Sequence, residues 1–157
     1  MKITLLTIGK TEQDYLKEGI KLFEKRLIHY TQFALKELPG LKKTANLSPE
    51  LIKEKEAKLI FRYINRSDCV VLLDECGKSY TSVGFANFLQ KRMNAGTREL
   101  VFIVGGAWGF ADSLKQRAHH LVSLSSMTFS HQMVRLFFVE QLYRGLTILR
   151  GENYHNE

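Results

Sequence analysis

Short apolar runs with almost no in–out alternation constrain this chain more than any other feature. MKITLLTI at its start, DCVVLLD at 68–74 and ELVFIV at 99–104 are nearly continuously apolar. A strand with one wet face alternates, whereas a strand read this way is covered on both faces, as in parallel sheets packed between helices. Two shorter runs, residues 33–38 and 121–124, read as further strands, the first ended by Pro39-Gly40. Helical stretches separate the runs. Tyr15, Leu16, Ile20, Phe23, Leu27 and Ile28 recur at helical spacing within residues 12–28. Ser48-Pro49-Glu50 combines an N-cap hydroxyl, a proline at the first helical position and a first-turn acid, and predicts a helix to about Ile64. Further helices are expected at 82–94, 112–119 and 131–149. The fold class is therefore α/β, a parallel sheet covered by helices, and 157 residues fit one domain spanning 1–157.

Charge bears on partners. Lys and Arg total 23 against 16 Asp and Glu, a formal charge of +7. That balance fits a polyanionic partner, RNA or DNA first, and equally a merely soluble basic protein. No apolar run reaches the ~18 residues of a membrane span, and Lys2 and Lys10 flank an N-terminal run without a small-residue cleavage site. Cys69 and Cys76 lack metal-ligand spacing, so no metal is expected, and Cys69 reads as a core thiol. A reducing, cytoplasmic setting follows as the default.

Chemistry concentrates in the last third. In open α/β sheets ligands sit beyond the carboxyl ends of strands. Here those ends are Leu73-Asp74, Gly105-Gly106 and the run from Leu124 to Thr128, which together nominate one crevice. The GGAWG segment is neither GxGxxG nor a P-loop, and by itself it fits a plain strand-to-helix turn as well as a ligand cradle. The SLSSMTF segment reads either as a polar loop with Ser130 capping the last helix, or as a loop whose backbone grips a flat heterocycle. Apolar residues, among them Met133, Phe137, Phe138, Leu142 and Ile148, nearly surround helix 131–149. Burial on every side at the end of a small domain points to a subunit interface. His131 and Arg135 share a face of this helix. Arg144 lies on the opposite side, near Glu140 and Gln141, where an i,i+4 pair with Glu140 is the simple alternative to a functional role. The tail, GENYHNE, has only Tyr154 as an apolar anchor.

These pieces together resemble one family. MKITLLTIGK, VVLLDECGK, FIVGGAWG, SMTFSHQMVRLFFVEQLYRG and the terminal NYHNE are similar to the SPOUT-class methyltransferases that modify N3 of a pseudouridine in large-subunit ribosomal RNA, and the likeness spans the chain. The resemblance implies a parallel-sheet SPOUT fold with a C-terminal trefoil knot, a rare exception to the rule against knots. It implies S-adenosylmethionine as methyl donor, held at Leu73, Gly105, Leu124, Ser125, Ser126, Met127, Thr128 and Phe129. It implies a homodimer with each active site bordered by both subunits, and ribosomal RNA or the assembled ribosome as partner. His131, Arg135, Arg144, Tyr154 and His155 match positions that serve RNA binding or catalysis. Within the segments, Ser130 stands where proline often precedes the histidine, Trp108 makes the glycine turn bulkier than usual, and Asn156 replaces a basic residue.

Methyl transfer from a sulfonium needs alignment above all, and removal of the N3 proton. His155 or His131 is the expected base. Arg135 and Arg144 would orient phosphate or stabilise developing negative charge, and Tyr154 would stack on a base. The nearest alternative is an RNA methyltransferase acting on another nucleotide, and two further readings belong to other classes. A dinucleotide-dependent oxidoreductase would carry GxGxxG after the first strand, where only Gly9 stands. A non-catalytic RNA-binding module would show basic and aromatic residues without a donor pocket.

Overall fold

The computed structural model describes residues 1–155; Asn156 and Glu157 lie outside the described residues. The elements run β1 (Lys2–Ile8), α1 (Asp14–Leu27), β2 (Gln32–Leu38), α2 (Pro49–Phe61), β3 (Cys69–Ser79), α3 (Ser82–Asn94), β4 (Glu99–Val104), α4 (Asp112–Arg117), β5 (His120–Ser123) and α5 (Met133–Leu149). All strand pairings are parallel, in the order β2-β1-β4-β3-β5.

Both faces of the sheet are dry, as the unalternating runs require. Ile3, Leu5, Val71, Phe102 and Val104 meet Ile20, Phe85, Phe138 and Leu142 on the face covered by α1, α3 and α5. Leu6, Ile8, Val70, Leu72 and Ile103 meet Ala57, Ile60 and Leu114 under α2 and α4. Local signals set several boundaries. Ser48 Oγ accepts from Leu51 N at 3.2 Å, with Pro49 opening α2. Ser130 Oγ accepts from Met133 N at 3.1 Å and so caps the turn leading into α5.

β3 departs from its sequence reading. The apolar run predicts a strand ending at Asp74, but pairing with β5 resumes after a register shift between Leu73 and Lys78. Residues 74–77 bulge out between two turns of the same ladder. Gly77 sits where the bulge folds back, and a Cβ there would meet Val122 N at 2.5 Å and the Leu121 carbonyl carbon at 2.6 Å. Only a residue without a side chain tolerates that approach.

α5 is less uniformly covered than its composition predicts. One side packs between α1 and α3, and Phe138 lies 4.6 Å from Phe102, ring centre to ring centre. Phe137 on the other side is exposed. The largest correction concerns Arg135, expected to face a ligand or phosphate. It is wholly buried. Its guanidinium donates to Ile8 O (2.8 Å), Gly9 O (3.1 Å), Thr11 Oγ1 (3.0 Å) and His131 O (3.0 Å), and pairs with Glu37 at 3.5 Å. The carbonyls at the end of β1 have no following strand partner there, and a buried cation is tolerated only where such acceptors surround it. Arg135 therefore ties α5 to β1, with its donors engaged inside the protein.

Replacing Arg135 by Ala should destabilise the fold by at least ~3 kcal/mol, because it strands buried acceptors. Urea denaturation checks this; a midpoint equal to that of the unmodified protein contradicts the structural role.

Candidate functional site

At one edge of the sheet the bulge within β3 and the loops after β4 and β5 enclose a cavity of about 710 Å³. That size suits a cofactor or small ligand. The lining comes from Leu73 to Cys76 at the β3 bulge, Val104 to Phe110 at the end of β4 and beyond it, and Val122 to Ser125 with Met127 to His131 at the end of β5 and beyond it.

Each wall has its own construction. The β3 wall is the bulge described above. Asp74 Oδ1 accepts from Cys76 N at 2.8 Å, and Asp74 pairs with Lys115 of α4 at 3.6 Å. The β4 wall is a tight turn. Gly109 N donates to Gly106 O at 3.2 Å, Gly109 takes φ +77°, and Phe110 is buried behind it. Beneath this turn lies Glu56 of α2, 8% exposed, whose Oε2 accepts from Gly106 N at 3.3 Å. A Cβ on Gly106 would stand 2.3 Å from Glu56 Oε1, so a side chain there would have to displace the Glu56 carboxyl group. Burial raises the Glu56 carboxyl above its ordinary range, and the Gly106 N–H partly offsets this.

The β5 wall is shaped by hydroxyls. Ser123 Oγ donates to Ser125 O at 2.8 Å, and Ser125 Oγ accepts from Met127 N at 2.9 Å. The serine side chains are thus spent on folding the loop, which leaves its backbone to face the cavity. Phe129 stacks on Phe137 at 4.7 Å. Gln132 then fastens the loop to the β1–α1 segment, donating to Lys10 O at 3.1 Å and accepting from Glu12 N at 3.0 Å.

Of the residues the sequence assigns to the donor, Leu73, Gly105, Leu124, Ser125, Met127, Thr128 and Phe129 line the cavity. Ser126 does not; its side chain is exposed outside it. His131 lines the cavity. Arg144, Tyr154 and His155 form a separate cluster with Glu140. Arg144 pairs with Glu140, lies 4.8 Å over the Tyr154 ring and approaches His155 Nδ1 at 3.4 Å. Tyr154 donates its hydroxyl to Glu140 Oε1 at 3.1 Å and sets its ring against Tyr143 at 4.7 Å. Burial and then the Glu140 carboxylate push the Tyr154 phenol up, which keeps it a neutral donor. The tail is thus anchored by side chains that its composition alone does not reveal. Met133 and Arg144 are about 16 Å apart along the helix axis, so within one protomer the tail cluster and the crevice stand at opposite ends of α5.

Sequence reasoning missed Glu56 and Lys53. Glu56 reads as one more charge in the polar run KEKEAK, and only its burial beneath Gly106 distinguishes it.

A doubly wound parallel sheet with a backbone-lined crevice at one edge defines a cofactor-binding α/β protein. Residues 1–155 match the family described as "Predicted SPOUT methyltransferase". The chain is 51% identical over 156 residues to the Ribosomal RNA large subunit methyltransferase H of Christiangramia forsetii, covering 99% of both chains. It is 51% identical over 157 residues to the protein of the same name in Flavobacterium johnsoniae, covering 100% of both. Among solved structures, the SpoU methyltransferase AviRb of Streptomyces viridochromogenes, in complex with AdoMet, aligns with TM-score 0.45 and 12% identity, over 91% of this chain and 57% of that one. The chain belongs to the SPOUT methyltransferase family.

Two outcomes check the β4 turn. Gly106→Ala should weaken ligand binding in the crevice, and adding Glu56→Ala should restore part of it by making room for the methyl; calorimetric titration of single and double variants reads the coupling. The second concerns pH. The folded state holds the Glu56 proton more tightly than the unfolded chain, so the stability this group contributes is present at low pH and is lost as pH rises from about 4 through the raised folded value. Relative to Glu56→Gln, the unmodified protein should therefore lose stability between acid and neutral pH; superimposable pH profiles in urea denaturation contradict this.

Proposed function

We propose that this chain is an S-adenosylmethionine-dependent methyltransferase that modifies N3 of a pseudouridine in large-subunit ribosomal RNA, with the assembled ribosome as substrate, in the cytoplasm. One observation carries the reading. A crevice walled by backbone-rich loops lies at the β3 bulge and the ends of β4 and β5, in a chain that aligns end to end with relatives named ribosomal RNA large subunit methyltransferases.

The crevice fits the donor. Leu73, Gly105, Leu124, Ser125 and Met127 to Phe129 offer backbone groups and apolar contacts for a flat heterocycle and its sugar. When bound there, S-adenosylmethionine would supply an electrophilic methyl group. The loops after β4 and β5 that enclose it are the segments in which the family resemblance places the trefoil knot. The chain's own residues must then orient the uracil ring and take its N3 proton. Histidine changes charge near neutral pH, which suits His155 or His131 to that role. Arg144, held by Glu140 and Tyr154, would meet RNA phosphate or developing negative charge. Arg135 keeps a positioning role, since its donors are engaged at the end of β1.

The distance along α5 supports a homodimer. A single protomer separates the tail cluster from the crevice by most of α5, whereas a two-fold partner laid antiparallel along that helix would bring its tail to this crevice. The exposed Phe137 and its stack with Phe129 offer apolar surface for such a contact.

Ribosomes from cells lacking the methylation, incubated with the protein and methyl-labelled donor, should acquire label in large-subunit RNA that mass spectrometry maps to pseudouridine N3. His155→Ala should lower turnover by ~10²-fold or more. Near-normal turnover would transfer the base role to His131. Mixed dimers of His155→Ala and Gly106→Ala subunits should regain roughly a quarter of normal activity, because half of randomly paired dimers are mixed and each holds one intact site. No recovery would mean that each subunit uses its own tail.

A further inference from the structure

Trp108 is an exposed aromatic at the crevice that the methyltransferase reading leaves unused. It stands at the tip of the Gly106–Gly109 turn, lines the crevice and is 57% exposed. Phe110, two residues on, is buried, and Phe129 across the cavity stacks on Phe137. Trp108 stacks on no other ring among the described residues. A large indole left in water beside a concave site forgoes burial that folding would otherwise favour, and such exposure marks binding surface.

The turn that carries it is built to hold still. The Gly109-to-Gly106 backbone bond closes it, and the buried Glu56 carboxylate grips it from below. A rigid aromatic loses little conformational freedom on binding, which favours stacking. Cations flank the same wall: Lys53 of α2 and Lys115 of α4 both line the cavity. Lys115 is held by Asp74, while Lys53 forms no ion pair among the described residues. An aromatic face with lysines beside it, on a chain of charge +7, is the arrangement that binds unpaired nucleotides: stacking for the base, cations for the phosphates. The donor is a poorer candidate for this indole. The cavity floor, made by Val104, Phe110, Val122 and Ser123, is buried, whereas Trp108 stands at the solvent-facing rim.

We propose that Trp108 is an RNA-stacking residue that receives an unpaired base next to the nucleotide being methylated, with Lys53 and Lys115 engaging the adjoining phosphates. This rests on the methyltransferase reading for the identity of the neighbouring nucleotide, while the stacking itself can be tested apart from it. The chain contains a single tryptophan, so its intrinsic emission reports on this side chain alone.

Three measurements decide the matter. In free protein, acrylamide should quench the emission readily; a shielded indole would mean that a second subunit covers it, and would overturn the proposal. A single-stranded uridine-rich RNA decamer should quench or shift the emission, less so in Lys53→Ala, whereas S-adenosylmethionine alone should leave it nearly unchanged. Quenching by the donor but not by RNA would assign the indole to the cofactor instead. Finally, Trp108→Ala should raise KM for ribosomes about tenfold or more, with kcat and calorimetric donor affinity unchanged, and Trp108→Phe should recover much of the loss. An unchanged KM overturns the proposal. Failure of the unmodified protein to bind S-adenosylmethionine would count against the methyltransferase reading, and the RNA titration would still decide the role of Trp108.

Discussion

Parallel pairing of β3 between β4 and β5 is the constraint from which the site follows. It brings the bulge within β3 and the carboxyl ends of β4 and β5 to one edge of the sheet, where the chain makes three separate detours. Helices cover both faces, so those loops have only the edge in which to lie. The crevice is therefore a product of topology before any side chain is considered. The shift in β3 between Leu73 and Lys78 then widens it, because residues 74–77 leave the ladder and become wall. Gly77 makes that detour possible by letting the bulge return against the β5 backbone.

Two buried charged side chains stabilise the loops around this edge, and neither acts as a surface charge. Arg135 uses its guanidinium on carbonyls at the end of β1 and on His131 O, which fixes where α5 begins. Glu56 holds the glycine turn after β4 from beneath. Arg135 is surrounded by acceptors, the condition under which a buried charge is tolerated, whereas Glu56 meets the Gly106 N–H and burial raises its carboxyl. The rigidity they confer matters because methyl transfer depends on alignment more than on strong acid–base chemistry. His131, whose backbone Arg135 holds, and the turn bearing Trp108, which Glu56 holds, flank the same opening.

The described residues divide the polar groups of this SPOUT family member between two ends of one helix. Polar and aromatic groups collect at two places, His131 and Trp108 at the crevice, and Arg144, Tyr154 and His155 toward the C-terminal end of α5. Within one protomer the crevice and the polar tail cluster therefore stand apart, separated by most of α5. The same division accounts for the composition of α5, apolar toward α1, α3 and the sheet, yet with Phe137 left exposed.

The sequence by itself determined the layers. Continuous apolar runs demanded a sheet covered on both faces, Ser48-Pro49 set the start of α2, and three strand ends rich in small residues pointed to one crevice. Those features are local, because hydrophobic period and capping chemistry act within a few residues. What only the tertiary structure decided involves residues distant in the chain. Arg135 sits at an ordinary helical position, and its burial depends on carbonyls 126 and 127 residues away. Glu56 becomes special only because Gly106 packs on it. The β3 bulge, hidden within the polar run ECGK, exists because β5 pairs on both sides of it. Tyr154 and His155, in a tail that reads as a loose end, are organised by Glu140 and Arg144. Charge and polarity are legible residue by residue, but whether a charged group ends in water or in the core depends on which carbonyls and amides the fold brings to it.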